Sequence, residues 1–108
     1  AATARTFAGA QPLHLAASRG HSEVARHLLR RRADARARDS KGAEPIHMAA
    51  YEGHVSVVEL LLSRRAAAQA KADDGTEPAQ LASTRHHRAV LEQLSAAARG
   101  SAQRGGEL

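Results

Sequence analysis

The chain has 108 residues, enough for one small domain, and its aromatic residues are one Phe, one Tyr and no Trp. A core with so few large rings must pack small aliphatic side chains at close range, which suits stacked helices better than a sandwich or barrel. The formal charge of +5 favours acidic partners, and the absence of cysteine excludes disulfides, thiolate nucleophiles and Cys-ligated metal sites.

The same features bear on where the protein works. A chain without cysteine is compatible with an intracellular location, cytoplasmic or nuclear, with the compartment open if a targeting segment has been removed. No apolar run approaches the roughly 18–20 residues that span a bilayer, so we expect no membrane insertion.

The chain repeats itself with a period of 33 residues, because Pro12, Pro45 and Pro78 are each 33 residues from the next. Other residue types recur at the same spacing. The aligned columns include Gly9, Gly42 and Gly75; His21, His54 and His87; Val24, Val57 and Val90; and Leu28, Leu61 and Leu94. So many aligned columns indicate one structural unit used three times.

The first residues align with the segment that ends the later units. "ATARTFAG", at residues 2–9, shares an Ala-x-Ala-Arg/Lys step and a turn glycine with "ARARDSKG" and "AQAKADDG". We therefore expect residues 1–8 to be the end of a preceding repeat or an N-terminal cap. The missing initiator Met predicts that the chain is a fragment or processed piece of a longer array.

Residues 9–38 and 39–71 form two complete units. Each has a turn glycine, then a proline that suits the first turn of a short helix, then a glycine that ends this helix. In the second unit, a second helix of roughly residues 55–63 carries its apolar residues at the spacing of a buried stripe. No strand pattern is long enough for a sheet, which predicts an all-α fold.

Residues 72–97 form a degenerate third unit. His86 replaces the helix-ending glycine, and Gln93 and Ser95 replace leucines of the second unit. A polar end must face water, so we expect a C-terminal cap. Residues 98–108 have almost no apolar content and are predicted to be a flexible tail.

These units resemble the ankyrin repeat, whose signature is a 33-residue period with T-P-L-H-x-A. The matching segments are "QPLHLAASRGH" and "EPIHMAAYEGH", followed by "EVARHLLRRRADARA" and "VSVVELLLSRRAAAQA", and the resemblance covers residues 1 to about 97. It implies a solenoid of stacked helix-turn-helix units with short turn or hairpin tips. It also implies a non-catalytic module for protein–protein interaction.

The chain departs from the family pattern at two kinds of position. Gln11, Glu44 and Glu77 replace the threonine that caps the first helix, a loss of about 1 kcal/mol per helix. Arg32 and Arg65 replace the loop glycine, which predicts strain if the backbone there is left-handed.

The sequence motifs of the common catalytic and cofactor-binding sites are absent from the chain. The chain has no G-x-S-x-G elbow, no P-loop and no G-x-G-x-x-G, so we expect neither an enzyme nor a cofactor site. Five of the seven histidines occupy repeated columns, where the resemblance implies a structural role; a weak metal site at His86–His87 is the alternative. Arginines at 30–32 form either a solvated helix end, a localisation signal or a patch for an acidic partner. Nucleic-acid binding is not expected, since interleaved aromatics and a reading helix are absent.

The partner face is predicted from the columns that the repeat leaves free. These are the two residues before each turn glycine, the one after it, and the two before each helix-ending glycine. The family binds partners at these tips and on the exposed side of the first helices. The predicted contacts are Phe7, Arg19, Lys41, Tyr51, Glu52, Asp74 and Arg85 in these columns, and Arg38 at the edge of the same face. The alternatives are that Phe7 covers the N-terminal end of the stack and that Tyr51 is incidentally exposed.

Three functions follow from this interpretation. The first is a module that binds another protein reversibly. The second is a structural subunit or appended ankyrin domain, held permanently in a larger assembly. The third is a regulatory domain of an enzyme encoded elsewhere in a longer chain.

Overall fold

The computed structural model describes the backbone of residues 9–106 and the side chains of residues 9–99. This part of the chain contains six helices and no strand, which confirms the predicted all-α class. The helices are α1 (Pro12–Arg19), α2 (Ser22–Arg30), α3 (Pro45–Glu52), α4 (Val55–Ser63), α5 (Pro78–Thr84) and α6 (Arg88–Gly106).

The helices stack in two layers, as the predicted solenoid requires. In one layer α3 lies between α1 and α5, and in the other α4 lies between α2 and α6. Each first helix also packs against the second helix of its own unit. Within the described helices, none is long and apolar enough to cross a membrane.

The first helix of each unit begins at its proline, and the third helical residue supports that start. The ring Nδ1 of His14 accepts a hydrogen bond from the N–H of Gln11 at 3.0 Å, and His47 does the same for Glu44. In the third unit the side-chain oxygen of Gln80 takes this place at 2.7 Å. The loss expected from the missing threonine is therefore partly offset, because this bond is one half of a capping box.

The first helices end at a position that two constraints reserve for glycine. Gly20 and Gly53 have left-handed φ angles of 73° and 78°. A Cβ on Gly53 would lie 2.6 Å from Nδ1 of His87, and one on Gly20 would meet the ring of His54 equally closely. The end of α5 is the last such position in the described stack. A side chain there meets no following imidazole, and His86 occupies it with φ 60°.

Small residues bring the layers into close contact. Ala17, Ala49, Ala50 and Ala82 are fully buried among larger core residues. The larger residues with the least exposure are Leu13, Ile46, Val57, Val58, Leu61 and Val90. One column shows how the two ends of the stack differ: Val57 and Val90 are 0% exposed, whereas Val24 is 50% exposed.

The expected strain after the second helices is present. Arg32 and Arg65 have φ angles of 74° and 76°, in the left-handed region that disfavours residues with a Cβ. Each residue lies just past the end of a second helix, where the next N–H closes the helix end, as in the bond from Ala33 to the carbonyl of Leu28. Glycine usually occupies this position, so an arginine there subtracts from the stability of a small core.

The C-terminal segment differs from the predicted flexible tail. Helix α6 continues to Gly106, so residues 98–106 are helical, and only residues 107–108 of the predicted tail lie outside the described part of the chain. The reason is local: Ala96, Ala97 and Ala98 have the highest helix propensity and line a cleft with Leu62. Low apolar content predicted disorder here, but alanine favours a helix without burying much surface.

A matched pair of glycine substitutions tests whether the histidine ring of the next unit excludes a side chain at the end of a first helix. Gly53→Ala and Gly75→Ala both place a Cβ in a left-handed conformation, at about 1–2 kcal/mol each. Only Gly53→Ala also meets an imidazole, since nothing lies within 4 Å of a Cβ on Gly75. We expect Gly53→Ala to lower the free energy of unfolding by about 1–3 kcal/mol more than Gly75→Ala. Equal losses in urea melts would show that the His87 ring moves aside freely.

Candidate functional site

A groove with a volume of about 480 Å³ lies between the turn tips of the second and third units and the outer sides of α3 and α5. Its volume is within the roughly 300–1,000 Å³ typical of ligand pockets. We call it the tip groove. Its lining residues are Ser40, Lys41, Ala43, His47, Met48, Tyr51, Ala72, Asp73, Asp74, Thr76 and Leu81.

The floor of the tip groove is apolar. Met48 on α3 and Leu81 on α5 occupy the same column of the repeat, and both are only partly buried. Tyr51 lies one helical turn after Met48 and is 40% exposed. An open apolar floor with polar groups above it is the usual composition of a recognition site.

Short hydrogen bonds hold the tips that form the polar side of the groove. Asp39 Oδ1 accepts hydrogen bonds from the N–H groups of Lys41 and Ala43, each at 2.9 Å. In the next tip, Asp74 Oδ1 accepts from the N–H and the hydroxyl of Thr76, at 3.0 and 2.6 Å. These side-chain bonds add to the backbone bonds that close each turn, such as the one from the N–H of Asp39 to the carbonyl of Ala43.

The two tips are also joined to each other and to the helices. The N–H of Asp73 donates to the carbonyl of Lys41 at 3.0 Å. The ring Nε2 of His47 lies 2.9 Å from the carbonyl of Thr76. Because Nδ1 of His47 already accepts a hydrogen bond, Nε2 carries the proton and donates. The wall of the groove is therefore fixed to helix α3.

The exposed tyrosine is paired with an arginine from the next unit. The guanidinium of Arg85 lies over the ring of Tyr51, 4.6 Å from its centroid. This cation–π contact contributes roughly 0.5–1 kcal/mol at an exposed site. The carbonyl of Tyr51 also accepts a hydrogen bond from Nε2 of His87 at 3.0 Å. Both contacts limit the freedom of the Tyr51 segment before any partner arrives.

A charged cluster lies behind the groove. Glu44 is 1% exposed, and its carboxylate accepts hydrogen bonds from Nε and a terminal nitrogen of Arg36 at 2.9 and 3.1 Å. Arg38 lies 3.5 Å from Glu44 and 3.2 Å from Asp73. The hydrogen bond with Glu44 raises the pKa of Arg36 above its ordinary value, and the negative charge of Glu44 adds to this effect. The cluster has two formal positive and two formal negative charges. It joins the end of the first unit to the tips of the second and third units.

The structure brings together four of the residues predicted from the sequence. Tyr51, Lys41 and Asp74 line the tip groove, and Arg85 covers the Tyr51 ring. Arg38 is instead held by Glu44, Asp73 and the carbonyl of Lys71, at the back of the groove.

The other predicted contacts lie elsewhere. Arg19 and Glu52 share the column of Arg85 but do not line the groove; Arg19 is exposed and Glu52 is half-buried. Phe7 lies outside the described residues. The partner-binding role of all three stays a prediction.

The sequence did not predict the apolar floor of the tip groove. Met48 and Leu81 belong to the column that begins with Leu15, and a column of apolar residues on a helix is normally taken as part of the buried core. The signal that could have found them is their position three residues before the free Tyr51 column, on the same side of the first helices.

Four of the five histidines in the repeated columns make hydrogen bonds between units. His14 bonds to the carbonyl of Ala43 and His54 to that of Ser18, each at 2.9 Å, in addition to the bonds of His47 and His87. Within the described residues, no group of three or more His, Asp or Glu is arranged to hold a metal ion.

Comparison with known proteins identifies the repeat. A family model described as ankyrin repeats (3 copies) matches residues 13–103. No curated protein matches the chain.

The hydrogen bonds in the tip of the third unit affect the pKa of Asp74, which gives a testable prediction. The hydroxyl of Thr76, and then its N–H, lower the pKa of Asp74 below its ordinary value. A folded-state pKa below the unfolded value gives stability that is present above the unfolded pKa and is lost as pH falls through the folded pKa. Thr76→Val removes the hydroxyl and should raise the pKa of Asp74, measured by NMR titration of its carboxyl carbon. Thr84→Val, which removes a hydroxyl bonded to the Gln80 carbonyl, is the control and should leave that pKa unchanged. A pKa of Asp74 that is the same with and without the Thr76 hydroxyl would contradict this assignment.

Proposed function

Because this chain belongs to the ankyrin-repeat family, we propose that it is a non-catalytic module that binds another protein reversibly through the tip groove. Ankyrin repeats are generally protein–protein interaction modules. The observation that carries the proposal is the groove itself. An open apolar floor lies beside the columns that the repeat leaves free, and the only tyrosine of the chain stands at its edge.

The contacts in the groove favour binding because they already hold its turns and side chains in place, so few groups lose freedom when a partner binds. The Asp73 amide, the His47 ring and the Arg85 guanidinium hold the tips and the tyrosine in place in the free protein. Ordering a side chain at an interface costs about 0.5–1.5 kcal/mol, and a preformed surface avoids much of this cost. Tyr and Arg are also the residues enriched among binding hot spots. We propose Tyr51 and Arg85 as the central contacts.

The charge of the surrounding surface supports a partner with acidic regions. The net charge is +5, and two exposed cations lie at the groove, Lys41 in its lining and Arg85 over the Tyr51 ring. Long-range attraction of this kind raises association rates more than it raises affinity.

A second candidate is a structural subunit or appended domain in a larger assembly. Val24 supports it, since this residue is half exposed at one end of the stack while its column neighbours are fully buried. Purification separates the two functions. A reversible module is a folded monomer that melts cooperatively on its own. A chain that stays unfolded or aggregated until it is co-expressed with a partner would favour the assembly.

Substitution of the tyrosine tests the proposed face. After a partner has been isolated by pull-down and purified, Tyr51→Ala should weaken its binding by about 1–2 kcal/mol, or about 5–30-fold in Kd by calorimetry. Val55→Ala is the control, because Val55 is also 40% exposed but belongs to α4 and does not line the groove. The far-ultraviolet circular dichroism of both variants should match that of the wild type. An unchanged Kd for Tyr51→Ala would rule out this face.

A further inference from the structure

The two free charges at the tip groove occupy one column of the repeat. Lys41 and Asp74 are 33 residues apart, at the same place in the second and third tips, and both are exposed. The ion pairs of the described side chains include neither of them. Asp73 differs, because it is already paired with Arg38. The groove therefore carries an unpaired cation on one tip and an unpaired anion on the next.

The spacing of this pair follows from the stack. Equivalent positions in neighbouring units are separated by about the distance between packed helices, roughly 8–10 Å. An extended peptide advances about 3.3 Å per residue, and its successive side chains point to opposite faces. Side chains four positions apart therefore leave one face about 13 Å apart, with a third side chain midway between them on the same face. The flexible charged side chains span the difference from the roughly 8–10 Å between neighbouring tips. Met48 and Leu81 also share one column and form the floor between the charged tips. The middle side chain of such a peptide would lie over this floor.

We propose that the tip groove takes an extended segment of a partner protein that carries an acidic and a basic side chain four positions apart, with a large aliphatic residue at the middle position. This inference rests on the proposed function. The acidic side chain pairs with Lys41, the aliphatic residue covers Met48 and Leu81, and the basic side chain pairs with Asp74. A segment with two charges of the same sign would place like charges together at one of the tips, so the groove requires one charge of each sign.

The tip of the third unit is suited to bind a cation. The Asp74 carboxylate is aligned by the Thr76 hydroxyl and N–H, and these bonds favour its ionised form. The net charge of the cluster behind the groove is zero, so Arg36 and Arg38 do not cancel the charge of Asp74. Lys41 has no such alignment and reaches its partner through a flexible side chain.

Selection from a displayed library of random peptides about eight residues long, which extend to about 26 Å, tests the inference. The immobilised wild-type chain should enrich sequences with one acid and one base four positions apart and an aliphatic residue midway. The variant Lys41→Glu should instead enrich sequences with two basic residues at these positions, and it should bind the wild-type sequences about tenfold more weakly. The control is Arg64→Glu, the same change of charge at an exposed residue after α4, which should select as the wild type does.

The outcomes separate this inference from the function on which it rests. Enriched peptides that require Tyr51 but lack the pair of opposite charges, or that are the same for Lys41→Glu as for the wild type, overturn the inference and leave the proposed face intact. Peptides that bind the variants Tyr51→Ala and Leu81→Glu as tightly as they bind the wild type overturn the proposed face as well. The absence of any enrichment also counts against both, since a preformed groove should select from such a library.

Discussion

Hydrogen bonds from histidine rings to carbonyl groups of neighbouring repeats are the interaction on which the geometry of this molecule depends. His14 and His47 each reach forward to the next tip, and His54 and His87 each reach back to the preceding first helix. Each bond satisfies a carbonyl at the end of a helix or turn, where the regular helical pattern supplies no donor. A groove between two repeats keeps its shape only while these bonds hold the repeats together.

The close packing of the stack follows from the same contacts. The rings of His54 and His87 lie against Gly20 and Gly53, so the two repeats approach to a distance that a side chain would prevent. Buried alanines extend this close approach through the first-helix layer. Such a core buries little area per residue, and the left-handed Arg32 and Arg65 subtract further from its stability. In the two tips that line the tip groove, the left-handed positions are Gly42 and Gly75, and glycine adopts this conformation without steric cost.

The sequence predicted the helices and the tip side of the site because both follow from position within one repeat. The period locates every first helix at its proline, and the columns without a structural demand point to Lys41, Tyr51 and Asp74. Contacts between repeats were harder to predict. The pairing of Arg38 with Asp73 joins residues that are 35 positions apart along the chain, and only stacking brings them together. For the same reason Arg38, predicted to contact a partner, is occupied within the stack. The continuation of α6 was missed because a count of apolar residues does not register the helix propensity of alanine.

The central claim is that the tip groove is formed before binding, and the amide of Asp73 reports on it directly. This N–H donates to the carbonyl of Lys41 and joins the two tips. Hydrogen exchange of the free protein, followed by NMR, should show the Asp73 amide protected and exchanging together with a core amide such as that of Val58. Exchange of Asp73 at the rate of an unstructured peptide, while Val58 stays protected, would show that the tips separate in solution and would contradict a preformed groove.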